Sequence, residues 1–266
     1  MKYINIENIV ENSNSKLLKS LPKFIIIIIG NIIRQDEIND ILSEFEDYKG
    51  LPFLEKVIEK LNLNIEIKGI ENLPDNKKSI FVANHPFGIL DGLIITNIVG
   101  NKYGELKAIG NDAFKHIPQL EPLILNIDVF DKSSREYYEK LNEAYASNIP
   151  ITHFPAGFVS RIYNRKIQDK QWEKSFVKKA IENQRDIVPI RFVGRNTSLF
   201  YFIFMVRKLL CIQTNIELIL LPRELFKKKN KTIKVKILKP VSYKFFDKSL
   251  NHIEWAEKIK NQVYNN

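Results

Sequence analysis

From Ile65 onward, short apolar runs of strand type alternate with stretches of helical pattern, and this alternation limits the folds open to the chain. The runs predict strands at 65–68, 79–83, 106–109, 124–129, 150–154, 187–193, 216–220 and 232–238. Helices are predicted near 89–101, 133–147, 173–184, 197–212 and 252–264. Strands that alternate with helices indicate an α/β fold, because each helix returns the chain to the same edge of a sheet. We therefore expect a mixed, largely parallel sheet flanked by helices.

The residues before Ile65 show a different pattern, with helices predicted at 4–19, 22–34, 36–47 and 51–61. We accordingly divide the chain into an N-terminal helical segment, 1–61, and an α/β domain, 62–266. Residues 24–33 form a ten-residue apolar run between Lys23 and Arg34. A helix of that length spans about 15 Å, roughly half the hydrocarbon core, so it is too short to cross a bilayer. It either packs internally or lies in the membrane interface with its basic neighbours at the headgroups.

The composition excludes several classes of protein. Of the 266 residues, 44% are hydrophobic and 11% are aromatic, which supports a sizeable core and excludes a disordered chain. The single cysteine, Cys211, excludes an internal disulfide, and its apolar neighbours favour a buried position. The net charge of +10 favours an anionic partner. Because no nucleic-acid-binding motif accompanies the basic residues, an anionic membrane surface is favoured over nucleic acid.

One segment that follows a predicted strand carries candidate chemistry. Strand 79–83 leads into Asn84, His85 and a turn containing Pro and Gly, and Asp91 follows. A carboxylate near an imidazole can hold one ring nitrogen and leave the other free as a base near neutral pH. His85 and Asp91 are therefore candidates for removing a proton from a hydroxyl group. A single His–Asp pair in a turn is as often structural, so the assignment depends on further motifs.

Two further apolar strands end in motifs of their own. Residues 154–161 are Phe-Pro-Ala-Gly-Phe-Val-Ser-Arg, and residues 187–190 are Ile-Val-Pro-Ile. In this order and spacing, the three segments resemble the PlsC-like glycerolipid acyltransferase family, which contains lysophosphatidate and glycerol-3-phosphate acyltransferases. The resemblance covers roughly residues 60–240. It implies the glycerolipid acyltransferase fold, with an N-terminal helical segment that docks on the membrane.

The chain departs from the family pattern at three positions. Five residues separate His85 from Asp91 where the family usually has four, and a Pro/Gly turn can absorb the extra residue. The usual Glu of the second motif is Ala156, and the usual Arg is Val159. These altered motifs resemble a bacterial subgroup that O-acylates lipids with amino-acid headgroups. They favour a mono-acylated amino-acid lipid, glycine- or ornithine-type, as acceptor over lysophosphatidate, which stays the alternative.

The resemblance implies acyl transfer from a thioester of acyl carrier protein or coenzyme A to the hydroxyl of a lyso-lipid, in membrane lipid synthesis. His85 would act as the base and Asp91 would orient it, with backbone N–H groups near Gly157 as candidate oxyanion donors. No metal or cofactor is implied. We expect peripheral binding at the cytoplasmic face of the inner membrane. Substrate-binding roles are expected for Asn84, Lys107, Phe154, Pro155, Gly157, Ser160, Arg161 and Arg195.

Other interpretations stay open for several segments. Arg161 and Arg195 are candidate anion-binding groups, because a guanidinium holds a phosphate or a carboxylate bidentately. The apolar stretch 199–206 is expected to form a buried helix or a wall for an acyl chain, and His153 is expected in the core. A catalytically silent lipid-binding protein of the same fold is the alternative function. A serine hydrolase is disfavoured because Ser160 lies in no Gly-x-Ser-x-Gly motif.

Overall fold

A central β-sheet organises the computed structural model, which describes residues 3–12, 19–111, 117–127 and 135–266. The described strands are β1 (Asn64–Lys68), β2 (Ser79–Ala83), β3 (Lys107–Asn111), β4 (Ile124–Ile127), β5 (Ile151–His153), β6 (Arg161–Tyr163), β7 (Lys166–Gln168), β8 (Asp186–Val193) and β9 (Thr232–Ile237). The sheet order is β1-β9-β8-β2-β5-β3-β4, and β6 and β7 form a separate hairpin. Within the sheet, β8 and β9 pair antiparallel and the other neighbours pair in parallel. The predicted mixed, largely parallel sheet is confirmed.

Helices cover both faces of this sheet. The described ones are α1 (Ile6–Glu11), α2 (Lys23–Ile33), α3 (Gln35–Glu44), α4 (Leu51–Lys60), α5 (Ile89–Tyr103), α6 (Arg135–Ala146), α7 (Ser175–Asn183), α8 (Ser198–Leu209), α9 (Leu221–Phe226) and α10 (His252–Asn265). Parts of three predicted elements, at 13–18, 128–129 and 133–134, lie outside the described residues. Among the helices just named, none is long and apolar enough to cross a membrane.

The strand β2 separates two hydrophobic cores because its side chains alternate between the faces of the sheet. Phe81 and Ala83 point into a core that α4 and α5 cover, whereas Ile80 and Val82 point into a core that α7 and α10 cover. Each of these four side chains is fully buried. A continuous apolar run, as in β2, is typical of a central strand covered on both faces. The end of β2 is therefore held rigidly from both sides.

The N-terminal helices differ in how they are buried. Ile41 and Leu42 of α3 belong to the same hydrophobic core as α4, α5 and the sheet. In α2, by contrast, Phe24, Ile27 and Ile28 are exposed to solvent. These three positions lie at i, i+3 and i+4 and therefore share one side of the helix. The apolar run recognised in the sequence thus presents an open apolar face.

The prediction of a strand at 216–220 is wrong, because Ile216–Leu220 forms a 3₁₀ helix. Its buried residues are Glu217 and Leu220, three positions apart, as a helical turn requires and an alternating strand does not. Pro222 follows in the first turn of α9, where a residue without an N–H is well tolerated. Apolar composition alone misled the prediction here, since it does not separate short strands from short helical segments.

The expectations for Cys211 and for the stretch 199–206 also need correction. Cys211 is exposed rather than buried, in a left-handed conformation with φ 56° just after α8 ends. Helix α8 is buried on one side only, because Leu199, Phe202 and Met205 are exposed. The sequence analysis missed the β6–β7 hairpin, whose turn residues Asn164 and Arg165 both have positive φ. Two consecutive positive φ values are the signature of a tight hairpin turn.

Candidate active site

The carboxyl ends of β2, β5 and β8 lie side by side, because β2 pairs in parallel with both of the other strands. This edge of the sheet carries residues 84–91 after β2, residues 154–161 after β5, and the loop after β8. In open α/β sheets, ligands bind outside the carboxyl ends of the strands. The first two motifs found in the sequence therefore meet at the edge where a binding site is expected, and the third, 187–190, lies within β8 beside β2.

His85 and Asp91 are in direct contact at this edge. The Nδ1 atom of His85 lies 3.0 Å from Oδ2 of Asp91. The same oxygen accepts hydrogen bonds from the backbone N–H of Phe87 at 2.7 Å and of Gly88 at 2.9 Å. Asp91 lies in the first turn of α5, where a carboxylate satisfies free backbone N–H groups and interacts favourably with the helix dipole. The five-residue spacing between His and Asp is thus compatible with their pairing.

The turn between them depends on Gly88, which has a φ of +82°. A Cβ at this position would lie 2.8 Å from the side chain of Leu221. Both the left-handed backbone and the close neighbour therefore select glycine. This conformation turns the backbone N–H groups of residues 87 and 88 toward Asp91, so the loop closes around the carboxylate.

The contact with Asp91 engages one ring nitrogen of His85, and the other has no hydrogen-bond partner among the described residues. Burial raises the pKa of Asp91, whereas His85 and the two backbone N–H groups act to lower it. An ionised carboxylate only accepts hydrogen bonds, so Nδ1 of His85 must donate, and in the neutral ring Nε2 then carries a lone pair. The His85 side chain is 17% exposed while that of Asp91 is fully buried. The arrangement offers a base to an incoming hydroxyl group and keeps the carboxylate away from water.

Phe154, the first residue of the second motif, packs on this imidazole. The two rings are stacked, with centroids 3.9 Å apart and an angle of 23° between their planes. Phe154 follows the last residue of β5, and Val82 of β2 is paired with His153. The stacking therefore fixes the plane of the His85 ring from the neighbouring strand. A role in positioning the base fits Phe154 better than direct recognition of substrate.

Asn84 has a structural partner rather than a free amide. Its Nδ2 donates to the carbonyl of Phe192 at 2.9 Å, and its Oδ1 accepts from the N–H of Phe192 at 2.7 Å. The side chain thus joins the end of β2 to β8 as an additional rung of the sheet. Substrate binding by the Asn84 amide, as expected from the sequence, is not supported, because the backbone of β8 already occupies both amide groups.

A buried carboxylate that the sequence analysis missed, Asp169, holds the His85 backbone. Its Oδ1 accepts a hydrogen bond from the N–H of His85 at 3.3 Å and from the hydroxyl of Ser160 at 2.5 Å. Its Oδ2 accepts from the indole N–H of Trp172 at 2.9 Å. Burial raises the pKa of Asp169, whereas the hydrogen bonds from Ser160 and Trp172 act to lower it. No local sequence pattern marks this residue.

The peptide on the other side of His85 is also held. The carbonyl of His85 accepts a hydrogen bond from the N–H of Ser160 at 2.8 Å. Ser160 therefore supports the His85 segment through its backbone and Asp169 through its hydroxyl. A substrate-binding role for the Ser160 side chain is not supported, since the hydroxyl is buried and donates to a carboxylate. Ser160 and Asp169 thus form hydrogen bonds with the carbonyl and the N–H of His85, respectively.

Arg161 is not available to bind an anion. It is buried, and its Nε donates to Oε1 of Glu217 at 2.7 Å. Its Nη1 donates to the carbonyl of Val159 at 2.8 Å. On the other side of Glu217, Nε of Arg207 lies 2.8 Å from Oε2. The expectation that Arg161 holds a substrate phosphate or carboxylate is corrected, because this guanidinium connects the second motif to the 3₁₀ segment and α8.

Lys107 lies at the amino ends of the parallel strands, opposite the candidate site, and so does not fit the expected role in substrate binding. It pairs with Ile151, which pairs with Ile80, and Ile80 precedes His85 by five residues. At about 3.3 Å per residue, Lys107 is displaced from His85 by roughly 16 Å along the strands. Its Nζ donates to the carbonyl of Pro122 at 2.9 Å. The structure therefore does not bring Lys107 to the site.

Arg195, in contrast, lies on the loop after β8 and is exposed. The loop packs on the turn that follows His85, since a Cβ on Gly194 would lie 2.3 Å from the ring of Phe87. The carbonyl of Arg195 accepts a hydrogen bond from Nζ of Lys228 at 2.8 Å, and this ammonium group lies 4.6 Å from the centre of the Phe87 ring. Burial lowers the pKa of Lys228. The Lys228 ammonium group thus contacts the turn, and Arg195 lies on the loop that packs against it.

Pro155 and Gly157 shape the second motif. The carbonyl of Pro155 accepts a hydrogen bond from the N–H of Glu173 at 2.9 Å. Gly157 has a φ of +67°, so its conformation selects glycine. Its N–H donates to the carbonyl of Phe154 at 2.9 Å. The N–H of Gly157 itself is therefore engaged in the turn, and the expectation that backbone N–H groups near Gly157 stabilise an oxyanion stays a prediction for its neighbours.

His153 faces away from the site, into the core beneath α7. Its ring lies 6.4 Å from that of Phe176, and burial lowers its pKa to about 4. Among the described residues, neither ring nitrogen has a hydrogen-bond partner. The part of the chain that the structure describes also contains no group of three His, Cys, Asp or Glu side chains able to hold a metal ion.

The chain matches known proteins along nearly its whole length. A family model described as acyltransferase matches residues 8–265. Two relatives named lyso-glycine lipid O-acyltransferase, from Phocaeicola vulgatus and Bacteroides thetaiotaomicron, are each 38% identical over 262 residues, which is 98% of this chain and 94% and 96% of theirs. The solved 1-acyl-sn-glycerophosphate acyltransferase from Thermotoga maritima is 18% identical, with a TM-score of 0.47 over 84% of this chain and 79% of that one. The chain therefore belongs to the acyltransferase family, as its sequence motifs predict.

Proposed function

We propose that this acyltransferase moves a fatty acyl group from a thioester donor to the hydroxyl of a lyso-lipid, with His85 as the base. The observation that carries the proposal is the 3.0 Å contact between Nδ1 of His85 and Asp91 on a partly exposed ring, whose Nε2 has no hydrogen-bond partner in the part of the chain that the structure describes. Acyl transfer to a hydroxyl needs one group to remove a proton and return it, and no side-chain nucleophile. The donor is a thioester of acyl carrier protein or coenzyme A.

The reaction proceeds in two steps. The hydroxyl oxygen of the acceptor attacks the thioester carbonyl carbon, and its proton passes to Nε2 of His85. The tetrahedral intermediate then expels the thiolate, which takes the proton from His85, so that an ester and a free thiol leave the site. Asp91 stabilises the imidazolium that forms between these steps and keeps Nδ1 in the donating state. Phe154 and Asp169 hold the ring and the backbone of His85 in place.

The acceptor that we propose is a lyso-glycine lipid, which carries a carboxylate rather than a phosphate. The two relatives that match 98% of the chain are named for that activity. The positions where the family usually has Glu and Arg hold Ala156 and Val159, and both are buried. Because Arg161 is paired with Glu217 and Lys107 is remote, Arg195 is the candidate for holding the headgroup carboxylate. Lys228 adds positive charge beside it.

We further propose that the protein works at the surface of the inner membrane, on its cytoplasmic face. Helix α2 exposes Phe24, Ile27 and Ile28, and Lys23 at its first turn is also exposed. An apolar helix face flanked by basic residues binds at the boundary between headgroups and acyl chains. Removing residues 1–34 should therefore lower co-sedimentation with vesicles that contain anionic lipid. Unchanged binding by a folded truncated protein would argue against this role of α2.

The catalytic proposal is tested with purified protein, offered lyso-glycine lipid or lysophosphatidate together with either thioester donor. His85→Ala should lower the turnover number by about 10²–10⁴-fold, the usual effect of losing a general base. Asp91→Asn should lower turnover with a smaller effect on acceptor binding, because the contacts of the carboxylate within the described residues are to His85 and to two backbone N–H groups. His252→Ala, a histidine at the start of α10, is the matched control and should be silent.

Three results would contradict these assignments. Near-normal turnover by folded His85→Ala would remove the base from the mechanism. Acceptor binding without turnover by the unmodified protein, with either donor, would favour the silent lipid-binding alternative. A clear preference for lysophosphatidate would reject the carboxylate acceptor. In that case Arg195→Ala should weaken binding of the phosphate instead.

A further inference from the structure

Helix α8 presents an apolar face to solvent. Its exposed apolar residues are Leu199, Phe202, Met205 and Leu209, and the last of these is 82% exposed. Their spacing follows the helical period, so they share one side of the helix. The opposite side, with Phe200 and Phe204, is buried against the protein. A helix that is apolar on both sides is normally covered on both sides, and this one is covered on one.

The exposed surface continues beyond α8. Leu210, Ile212, Ile216 and Ile219 extend it along the following segment, and each is at least 36% exposed. The 3₁₀ helix Ile216–Leu220 contacts both α8 and α2, so α2 lies next to this surface. We name residues 199–219 with these exposed side chains the second docking face. Since a large side chain contributes roughly 150–250 Å² when fully exposed, the second docking face and α2 present on the order of 1,000 Å² of apolar surface.

An apolar surface of that size needs an occupant, because the largest apolar patch on a typical monomer is only about 300–600 Å². The charges around this apolar surface indicate which occupant it binds. Residues 19–34 and 198–216 include no Asp or Glu but contain Lys19, Lys23, Arg34, Arg207 and Lys208. The next acidic residue along the chain, Glu217, is buried between two arginines. Glu7 and Glu37, which lie outside these two ranges, pair with Lys23 and Arg34, while Lys19, Lys23 and Lys208 are exposed. A wide apolar face with more basic than acidic side chains beside it fits an anionic bilayer.

The second docking face also lies next to the candidate active site. Val159, in the second motif, packs with Phe200, Tyr201 and Leu220 beneath it. Gly88, in the turn between His85 and Asp91, lies against Leu221 directly after the 3₁₀ helix. One layer of side chains therefore separates this face from the loop that carries the base. A lipid acceptor has a short path from a bilayer at this face to His85.

We infer that the second docking face inserts into the membrane together with α2, so that the protein binds the bilayer through two elements far apart in sequence. The inference builds on the proposed membrane function and extends it from the N-terminal helix to α8 and the 3₁₀ segment. The ion cluster of Arg161, Glu217 and Arg207 anchors this second element to the active-site motif. The position of the membrane relative to His85 is then fixed by folded structure, rather than by the N-terminal helices alone.

Cys211 allows a direct test, because it is the single cysteine and is exposed within this face. An environment-sensitive fluorophore attached there should shift its emission to the blue when vesicles of phosphatidylcholine and phosphatidylglycerol are added. Brominated lipid should then quench it, as expected for a probe within the acyl region. The same fluorophore on Lys248→Cys in a Cys211→Ser background is the control and should not respond, since Lys248 lies on the exposed loop before α10.

A pair of phenylalanine variants measures the contribution to affinity. Phe202→Ser should raise the dissociation constant for these vesicles by about tenfold, because an inserted aromatic side chain is lost. Phe245→Ser removes an equally exposed phenylalanine that packs on Trp255 in the core region of α10, and it should leave binding unchanged. Acylation of a short-chain acceptor dissolved as monomers should be unaffected in Phe202→Ser. This last assay separates failure of the docking face from failure of the proposed reaction.

Several outcomes would overturn the inference. The label on Cys211 could stay silent while the labelled protein still co-sediments with vesicles, which would leave the binding to α2 alone. The two phenylalanine variants could lose equal affinity, which would indicate a general loss of structure. The label could respond to acyl carrier protein and not to vesicles. The face would then be a binding site for the donor protein and not for the bilayer.

Discussion

Replacing Asp169 by asparagine tests how far catalysis depends on the backbone of His85. In the native protein Asp169 accepts hydrogen bonds from three donors, the hydroxyl of Ser160, the indole N–H of Trp172 and the N–H of His85. Asparagine has nearly the same shape but offers one oxygen and one NH₂ group. Asp169→Asn therefore preserves packing and forces a choice among the donors.

That choice falls on His85. The Ser160 hydroxyl can rotate to accept a hydrogen bond from the new NH₂ group, but Trp172 and the His85 backbone can only donate. One of these two donors must then face the NH₂ group. The bond from His85 is longer, 3.3 Å against 2.9 Å from Trp172, so it is the one expected to break. A buried donor without a partner lowers the free energy of unfolding by about 1–3 kcal/mol.

The effect on rate should exceed what this destabilisation alone produces. A displacement of about 1 Å at the base costs on the order of 10²-fold in turnover. We expect Asp169→Asn to lower kcat by that factor and to leave KM for the acceptor nearly unchanged, because Asp169 is buried behind the His85 segment. Steady-state kinetics and urea denaturation of the same preparations measure both quantities.

Trp172→Phe provides the matched control. It removes another hydrogen bond to Asp169 and leaves the bond to His85 intact. It should destabilise the fold by a similar amount while keeping kcat within a few-fold of the native value. If Trp172→Phe loses as much kcat as Asp169→Asn, the rate loss reflects general loosening and the positioning argument fails. Full kcat in folded Asp169→Asn would refute it as well.

Two further predictions concern stability. Burial lowers the pKa of His153 to about 4 from 6.5, so between these pH values the unfolded chain binds a proton that the folded chain does not. The free energy of unfolding should therefore fall by on the order of 3 kcal/mol as pH drops from about 6.5 to 4. His153→Phe should flatten this dependence in denaturation curves across that range, and an unchanged curve would contradict the prediction. Glu217→Gln should lower the free energy of unfolding by about 3 kcal/mol or more, because Arg161 and Arg207 lose a buried counter-charge. As the control, Glu182→Gln at an exposed ion pair should change it by under about 1 kcal/mol. Equal losses in thermal unfolding would reject a stabilising role for the buried ion cluster.

The fold was predictable from the sequence where local pattern and burial agree. Strand β2 occupies the predicted residues 79–83 because five consecutive apolar or small residues end at a turn and all of them are buried. The segment 216–220 is equally apolar, but the partners of Glu217 and the following Pro222 make it helical. The turn of the β6–β7 hairpin lies in a polar, basic stretch that gives no strand pattern. Tertiary contacts determine the conformation of both segments, and a single sequence does not show which residues make those contacts.

The candidate site was likewise predictable only in part: contacts within one turn could be anticipated from the sequence, and contacts between distant segments could not. His85 and Asp91 are six residues apart, so their pairing could be anticipated from one turn. The amide of Asn84 is bound to a residue 108 positions away, and Arg161 is paired with a residue 56 positions away. Asp169 lies 84 positions from the histidine that it holds. Their roles follow from strand order and loop packing, and residue type alone assigned the two polar side chains to substrate.

The departures at Ala156 and Val159 lie in two different apolar clusters, and that of Val159 includes the buried side of α8. Ala156 lies in the core with Trp172, where a carboxylate would need a partner that a small apolar residue does not. Val159 packs on Phe200, beneath the exposed side of α8. An arginine at position 159 would bring a charge into that apolar contact. Val159, which stands where the family usually has Arg, thus joins the active-site motif to the helix that we place in the membrane. The acceptor that we propose and the attachment of the proposed docking face thus involve the same position.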